Sequence, residues 1–270
     1  LIDFPGFNLR IAKFSKIKGF NVHYFIPPKA WAWNRKRAKT LSKYVDKIYS
    51  ILPFEVDFFR EYNCNISYVG NPLMNQINLN VNKTNNKIKT ISLLPGSRES
   101  ELKYSLPVFK KIVSELRGFD FLVCGVSNLK KELYSDINEF NNVTLFFDKT
   151  YDIVSSSDIS IVMSGTASLE VSLLNIPQIV VYKASWISYL IAKLIVKIKF
   201  ISLVNLILEK KVVTELIQND FNSYKVILEI NKLDDKERKL KMLKEYNQLR
   251  KKIGNKVAEN EICKVLLSEL

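Results

Sequence analysis

Cysteine is scarce. Cys64, Cys124 and Cys263 lie far apart and form no CxxC pair. That argues against a disulfide framework or a cysteine zinc site and fits a reducing compartment. Histidine is scarcer still: His23 stands alone in a short apolar run, the setting of a packed or hydrogen-bonded residue rather than a catalyst. GxGxxG and GxxxxGK[ST] are both missing, which disfavours a GxGxxG dehydrogenase and a P-loop NTPase. No helix-turn-helix, zinc-finger or RNP-type signature occurs, so nucleic acid is a weak reading of the basic charge. The opening Leu1-Ile2-Asp3 has neither the basic region nor the cleavage site of a signal peptide. It reads as the end of a buried strand met mid-element, in a fragment lacking its N-terminus.

What is present suits a packed protein. Of 270 residues, 47% are hydrophobic and 25% charged, enough core for one large domain or two modest ones. The net charge of +14 comes mostly from lysines spread along the chain. A solvated surface, anionic substrates and an anionic membrane face are all consistent with it.

Before residue 75 the pattern predicts an amphipathic helix at 7–18, strands at 21–26, 47–52 and 66–69, and a helix at 55–62. Trp31 and Trp33 precede the basic cluster Arg35, Lys36, Arg37 and Lys39, where core packing and lipid contact are equally good readings. Residues 75–89 are polar and Asn-rich, and a domain boundary is expected there. A βα rhythm follows: strands at 90–94, 119–124, 143–147, 158–163 and 178–182, with helices at 99–116, near 128–138 and at 168–174. Such alternation predicts a parallel, doubly wound α/β sheet. The apolar stretch 186–208 is interrupted by Lys193, Lys197 and Lys199 and reads as an amphipathic helix, packed against the core rather than membrane-spanning. Residues 234–270 read as closing helices.

Two strand–loop–helix junctions can carry chemistry. In Pro95-Gly96-Ser97-Arg98, Gly96 permits a tight turn, Ser97 can cap the helix, and free N–H groups with the helix dipole attract an anion. Arg98 adds a two-pronged phosphate donor. Ser164-Gly165-Thr166-Ala167 repeats the logic, and Glu170 in the first helical turn is placed to accept bonds from ribose hydroxyls. Both loops follow parallel strands, so both are expected to face one phosphate-bearing ligand. Asp3, ending an apolar strand before Pro5-Gly6, has the position of a general base, although a turn Asp bonding its own backbone fits that position better.

Seven segments in order then resemble the lipid-A-disaccharide synthase family: IDFPGFNLRIAK (2–13), VHYFIPPKAWAWNRKR (22–37), LPFEVDFF (52–59), YVGNPL (68–73), LLPGSRESEL (93–102), SGTASLEVSLLNIP (164–177) and ISLVNLILEKKVVTELIQ (201–218). The resemblance implies a GT-B fold, with two Rossmann-like doubly wound domains facing a cleft. The N-terminal one is incomplete, for some ninety residues with an AGExSGD loop have no counterpart here. It divides the chain into 1–75 (remainder of the acceptor-binding domain), 76–232 (UDP-sugar domain) and 233–270 (closing helices). It implies transfer from UDP-2,3-diacylglucosamine to the 6-hydroxyl of 2,3-diacylglucosamine 1-phosphate, inverting, without metal or other cofactor. Asp3 matches the family's proposed catalytic aspartate and Arg98 its essential arginine. Gly96, Ser97, Ser164, Gly165, Thr166, Glu170 and Asn205 match donor-side positions, with SLVNLI standing where the family has SLPNLL. An anionic membrane surface is the implied partner, no nucleic acid is expected, self-association is left open, and the implied location is cytoplasmic, on the inner face of the inner membrane. The alternatives are another GT-B UDP-sugar enzyme and a non-catalytic UDP- or membrane-binding fragment.

Overall fold

The computed structural model describes residues 1–77, 89–195 and 198–268. It divides into two compact units. One holds Leu1–Gln76, Ile187–Lys199 and Lys251–Leu270; the other holds Ile77–Trp186 and Phe200–Arg250. Most of the expected linker, residues 78–88, lies outside the described residues, as does Lys197.

The first unit begins with α1 (Pro5–Ile17), β1 (His23–Phe25), α2 (Lys36–Tyr44), β2 (Lys47–Ser50), α3 (Glu55–Arg60), β3 (Ile66–Tyr68) and α4 (Leu73–Gln76). Its strands run parallel in the order β1-β2-β3, and Ile2 extends the sheet through a parallel bridge to Phe25. Alternating strands and helices force this arrangement, because each crossover must return across the sheet before the next parallel strand can pair. Tyr24, Leu41, Ile48 and Phe59 are buried beneath the helices. His23 is held by the Tyr49 hydroxyl at 2.8 Å from its Nδ1, which agrees with the packed-residue reading.

The second unit continues with β4 (Lys89–Leu94), α5 (Glu99–Glu115), β5 (Phe119–Gly125), α6 (Ser135–Asn138), β6 (Val143–Phe147), α7 (Thr150–Ser155), β7 (Ile159–Met163), α8 (Ala167–Leu173) and β8 (Gln178–Tyr182). α9 (Trp186–Ile195), which belongs to the first unit from Ile187 onward, is followed by α10 (Leu203–Leu208), β9 (Thr214–Ile217), α11 (Ser223–Leu233) and α12 (Lys236–Ile253) of the second unit; the end of α12 from Lys251 and α13 (Ala258–Ser268) belong to the first. The six strands are all parallel, in the order β6-β5-β4-β7-β8-β9. The doubly wound expectation is met: in order of appearance this is 3-2-1-4-5-6. The winding reverses between β4 and β7, leaving a crevice at their carboxyl ends. β7 is buried along its whole length, the pattern of a central strand covered on both faces.

Two predicted elements differ. The helix near 128–138 is a 3₁₀ turn, Lys131–Tyr134, followed by the single turn of α6. Among its described residues the stretch 186–208 holds two helices, because Ser202 caps a new start at α10. The core-packing expectation for it fails at Trp186, Ile187 and Leu190, which are all more than half exposed. The Trp pair also divides. Trp31 is buried against Phe54, whereas Trp33 is exposed beneath the Arg37 guanidinium.

Trp31 is fixed by a buried carboxylate. Its Nε1 donates to Glu55 Oε1 at 2.9 Å, and Ser50 Oγ donates to Glu55 Oε2. Burial pushes the Glu55 carboxyl up to about 7, opposed by these bonds. A folded value above the ordinary 4.5 means that the fold prefers the protonated acid. Its contribution is complete below the ordinary value and is lost as pH rises through about 7. Between its ordinary value of 4.5 and its folded value of about 7 this group alone is expected to lower stability as pH rises, by up to about 1.4 kcal/mol per pH unit. Glu55→Gln should flatten that slope in urea midpoints measured across the range, and an unchanged slope would contradict the assignment.

Candidate functional site: the crevice between β4 and β7

The two junctions singled out in the sequence follow β4 and β7, the strands on either side of the winding reversal. Ile91 pairs with Ile159 and Leu94 with Val162, and Ser92 Oγ and Ser160 Oγ are bonded between the strands. The fold thus brings Gly96, Ser97 and Arg98 to the same edge of one sheet as Ser164, Gly165 and Thr166.

In the first loop Gly96 has φ 115°, and a Cβ there would lie 2.4 Å from the Glu101 carboxylate, so only glycine fits. Ser105 Oγ, buried in α5, donates to Pro95 O at 2.8 Å and pins the loop from beneath. Ser97 does not cap the helix as expected. The cap position falls one residue later, at Arg98, without a side-chain bond. Glu101 instead reaches back, its Oε2 accepting the Ser97 N–H at 2.8 Å and its Oε1 the Arg98 guanidinium at 3.2 Å. A carboxylate in the third helical position reaches back to a free N–H ahead of the helix, as the acidic partner of a capping box does, and complements the helix dipole. The loop therefore already binds one anionic group of its own, with Arg98 left 77% exposed.

The second loop is anchored at its start and open at its tip. Ser164 N–H donates to Val181 O at 2.8 Å and its Oγ to Ile201 O at 3.2 Å, while Ser168 Oγ donates to Gly165 O at 2.9 Å. Gly165 and Thr166 are exposed. No described protein atom lies within 4 Å of a Cβ placed on Gly165, so no protein contact requires glycine there. Close approach of a ligand to the backbone would.

Glu170 is half-buried on α8 and accepts the Tyr151 hydroxyl at 3.2 Å. Burial raises the Glu170 carboxyl above its ordinary value, and the Tyr151 bond opposes that. Tyr151 is itself pushed up to about 12, first by burial and then by the Glu170 charge. The two residues line a cavity of about 370 Å³ with Asp148, Lys149, Thr150 and Asp152. Sequence reasoning missed this wall. Its signal was available: the polar run Asp148–Asp152 follows an apolar strand, as the two recognised loops do.

Asn205 occupies a different kind of place. It is fully buried, and its side-chain nitrogen donates to Val213 O at 2.9 Å and Glu215 Oε1 at 2.8 Å. Its oxygen accepts the N–H groups of Val212 and Val213. All four bonding capacities are used within the protein. Glu215 also accepts the N–H groups of Ile201 and Ser202. This network fixes the segment whose Ile201 carbonyl receives Ser164, so Asn205 bears on the second loop from behind. The departure at Val204 leaves the capped start of α10 in place.

Asp3, in the first unit, sits on strained backbone. Asp3 and Phe4 both have left-handed φ, 45° and 41°, each costing about 1–2 kcal/mol. The turn is held by Tyr24, whose hydroxyl donates to Asp3 O at 2.6 Å, and by Asn8, which donates to the carbonyls of Ile2 and Asp3. The Asp3 side chain is exposed and bonds no described residue, so the self-bonded turn reading is not what the structure adopts.

Comparison with known proteins agrees with this geometry. The family profile described as lipid-A-disaccharide synthetase matches residues 1–266. A lipid-A-disaccharide synthase of Nitrosococcus oceani is 35% identical over 269 residues, which covers 94% of this chain and 70% of that one. One from Syntrophus aciditrophicus is 36% identical over 270 residues, with the same coverage. A third, from Legionella pneumophila, is 31% identical over 286 residues, covering this chain fully and 74% of its own. Among solved structures, a putative UDP-N-acetylglucosamine 2-epimerase from Listeria monocytogenes superposes with a TM-score of 0.63 at 13% identity, over 96% of this chain and 70% of that one. MurG of Acinetobacter baumannii does so at 0.54 and 12%, over 88% and 65%. The structural likeness establishes the GT-B fold, and the sequence likeness is specific enough to go further: the chain belongs to the lipid-A-disaccharide synthase family, glycosyltransferases of lipid A biosynthesis.

Proposed function

We propose that the β4/β7 crevice binds UDP-2,3-diacylglucosamine and that its sugar is transferred, with inversion, to the 6-hydroxyl of 2,3-diacylglucosamine 1-phosphate. The observation that carries this reading is the pair of helix-start loops on either side of the winding reversal, with the Glu170–Tyr151 cavity in the same unit. UDP supplies what each part of that wall can bind. The diphosphate meets the N–H groups of Gly96 and Ser97 and the Arg98 guanidinium, displacing the Glu101 carboxylate that occupies them. The Ser164–Thr166 turn approaches the donor through its backbone, and Glu170 accepts the ribose hydroxyls. Asn205 contributes by holding the second loop.

Asp3 accepts the proton of the acceptor's 6-hydroxyl, whose oxygen attacks the anomeric carbon as the bond to the β-phosphate breaks. Negative charge then grows on the departing UDP, where Arg98 and the start of α5 stabilise it. In this reading residues 1–75 belong to the acceptor-binding domain, 76–232 form the donor domain, and 233–270 close the structure. The strained turn at Asp3 supports its role, since such strain persists where surrounding bonds over-determine it.

In this reading the enzyme works in the cytoplasm, on the inner face of the inner membrane. The support is a net charge of +14 together with exposed Phe7, Phe14, Ile17, Trp33, Ile187 and Leu190. No described helix is long and apolar enough to cross a membrane.

With both substrates the protein is expected to form a disaccharide 1-phosphate and UDP in equal amounts. UDP release that does not depend on the acceptor would sink the transfer reading. Arg98→Ala should weaken UDP binding by about tenfold or more, the scale of one lost charge-assisted contact, as measured by calorimetry. Unchanged affinity would remove its assigned role. Asp3→Asn keeps the turn but not the base. It should lower kcat by about 10²–10⁴-fold while leaving the affinity for UDP intact, and near-normal turnover would contradict the base assignment.

A further inference from the structure

The second unit carries a second, larger cavity that the reaction above does not use. It has a volume of about 1010 Å³ and lies along one flank of α5, opposite the 3₁₀ turn and α6. Its existence follows from helix lengths. α5 has 17 residues, while the crossover that should lie beside it has only two four-residue turns. A mean helix of about 11–12 residues would cover that flank; these short turns leave it open.

The lining is that of an amphiphile site. Leu102, Leu106, Pro107, Leu133, Ile137 and Phe140 make an apolar floor. Lys103, Lys110 and Lys111 stand at the rim, where their stems extend the apolar wall and their ammonium groups stay in water. Lys110 reaches Asp136 at 3.5 Å. The groove begins at Glu99 and Ser100, the two residues that follow Arg98, and continues to Ser114. At about 1.5 Å per residue that is roughly 22 Å of helix, a channel rather than a compact pocket.

We propose that this groove receives a fatty-acyl chain of the sugar-nucleotide donor. The occupant is set by three features: the apolar floor, the elongated form, and continuity with the loop assigned to the donor's diphosphate. The inference rests on the donor reading above and deepens it. The start of α5 divides the donor, with its phosphates at the loop and one acyl chain running back along the helix flank. Burial of several methylene groups there makes affinity depend on chain length, with each pair of methylenes worth about tenfold.

The test is calorimetric titration of the purified protein with UDP, with UDP-diacylglucosamine bearing short acyl chains, and with the long-chain compound. Leu106→Glu and Phe140→Glu, both at half-buried positions, are titrated beside the unmodified protein after their thermal unfolding is shown to be intact. The unmodified protein should bind the long-chain donor at least about tenfold more tightly than the short-chain donor, and either substitution should abolish that difference while leaving UDP affinity unchanged. Equal affinity for long and short donors in the unmodified protein overturns the groove assignment. So does a chain-length difference that survives both substitutions. Failure of the unmodified protein to bind UDP or either donor overturns the donor reading, and the groove assignment with it.

Discussion

The parallel pairing of β4 with β7 is the contact on which the candidate site depends. These strands are far apart in sequence, and one winding direction is used up on β5 and β6 before β7 returns to the other side of β4. Because the crossovers depart in opposite directions, α5 and α8 both start at the carboxyl ends of adjacent strands. The buried Ser92–Ser160 bond and the fully buried β7 hold the register. A slip of that register would separate the Gly96 and Gly165 turns, whatever their own sequences.

Within that frame the two loops are unequal. The first is preloaded: Glu101 satisfies the Ser97 N–H and pairs with Arg98, keeping the donors ordered and charge-compensated until a stronger anion displaces it. The second is held from below and left open above, through Ser164, Ile201 and the Glu215–Asn205 network. Asn205 and Ser202 in that network are fully buried and bonded to the half-buried Glu215, which rigidifies the segment at little desolvation cost. The ligand-facing backbone of both loops is thus shaped before a ligand arrives.

Much of this was legible in the sequence, for a physical reason. Strands buried on both faces are continuous apolar runs, so β4, β5, β6, β7 and β8 stand where Ile, Val, Leu and Phe cluster, to within about a residue or two. Loops with glycine at a strand's end were equally readable. What was not legible depends on partners distant in sequence. The cap falls at Arg98 while Glu101 takes the Ser97 N–H, and the side chain of Asn205 is consumed by its bonds to Val213 and Glu215. Tyr151 acquires meaning only through Glu170. β9 is short and half-polar, and it is a strand because β8 offers it an edge. The break between α9 and α10 depends on Ser202, whose N–H and hydroxyl are bound by Glu215.

The central claim is that one ligand engages both loops and the Glu170–Tyr151 wall at once. Amide hydrogen exchange with and without UDP tests it directly. The account predicts slowed exchange confined to three segments, 95–101, 148–152 and 164–170, appearing together over one UDP titration. Protection of only one of them, or protection centred elsewhere in the sheet, would contradict it.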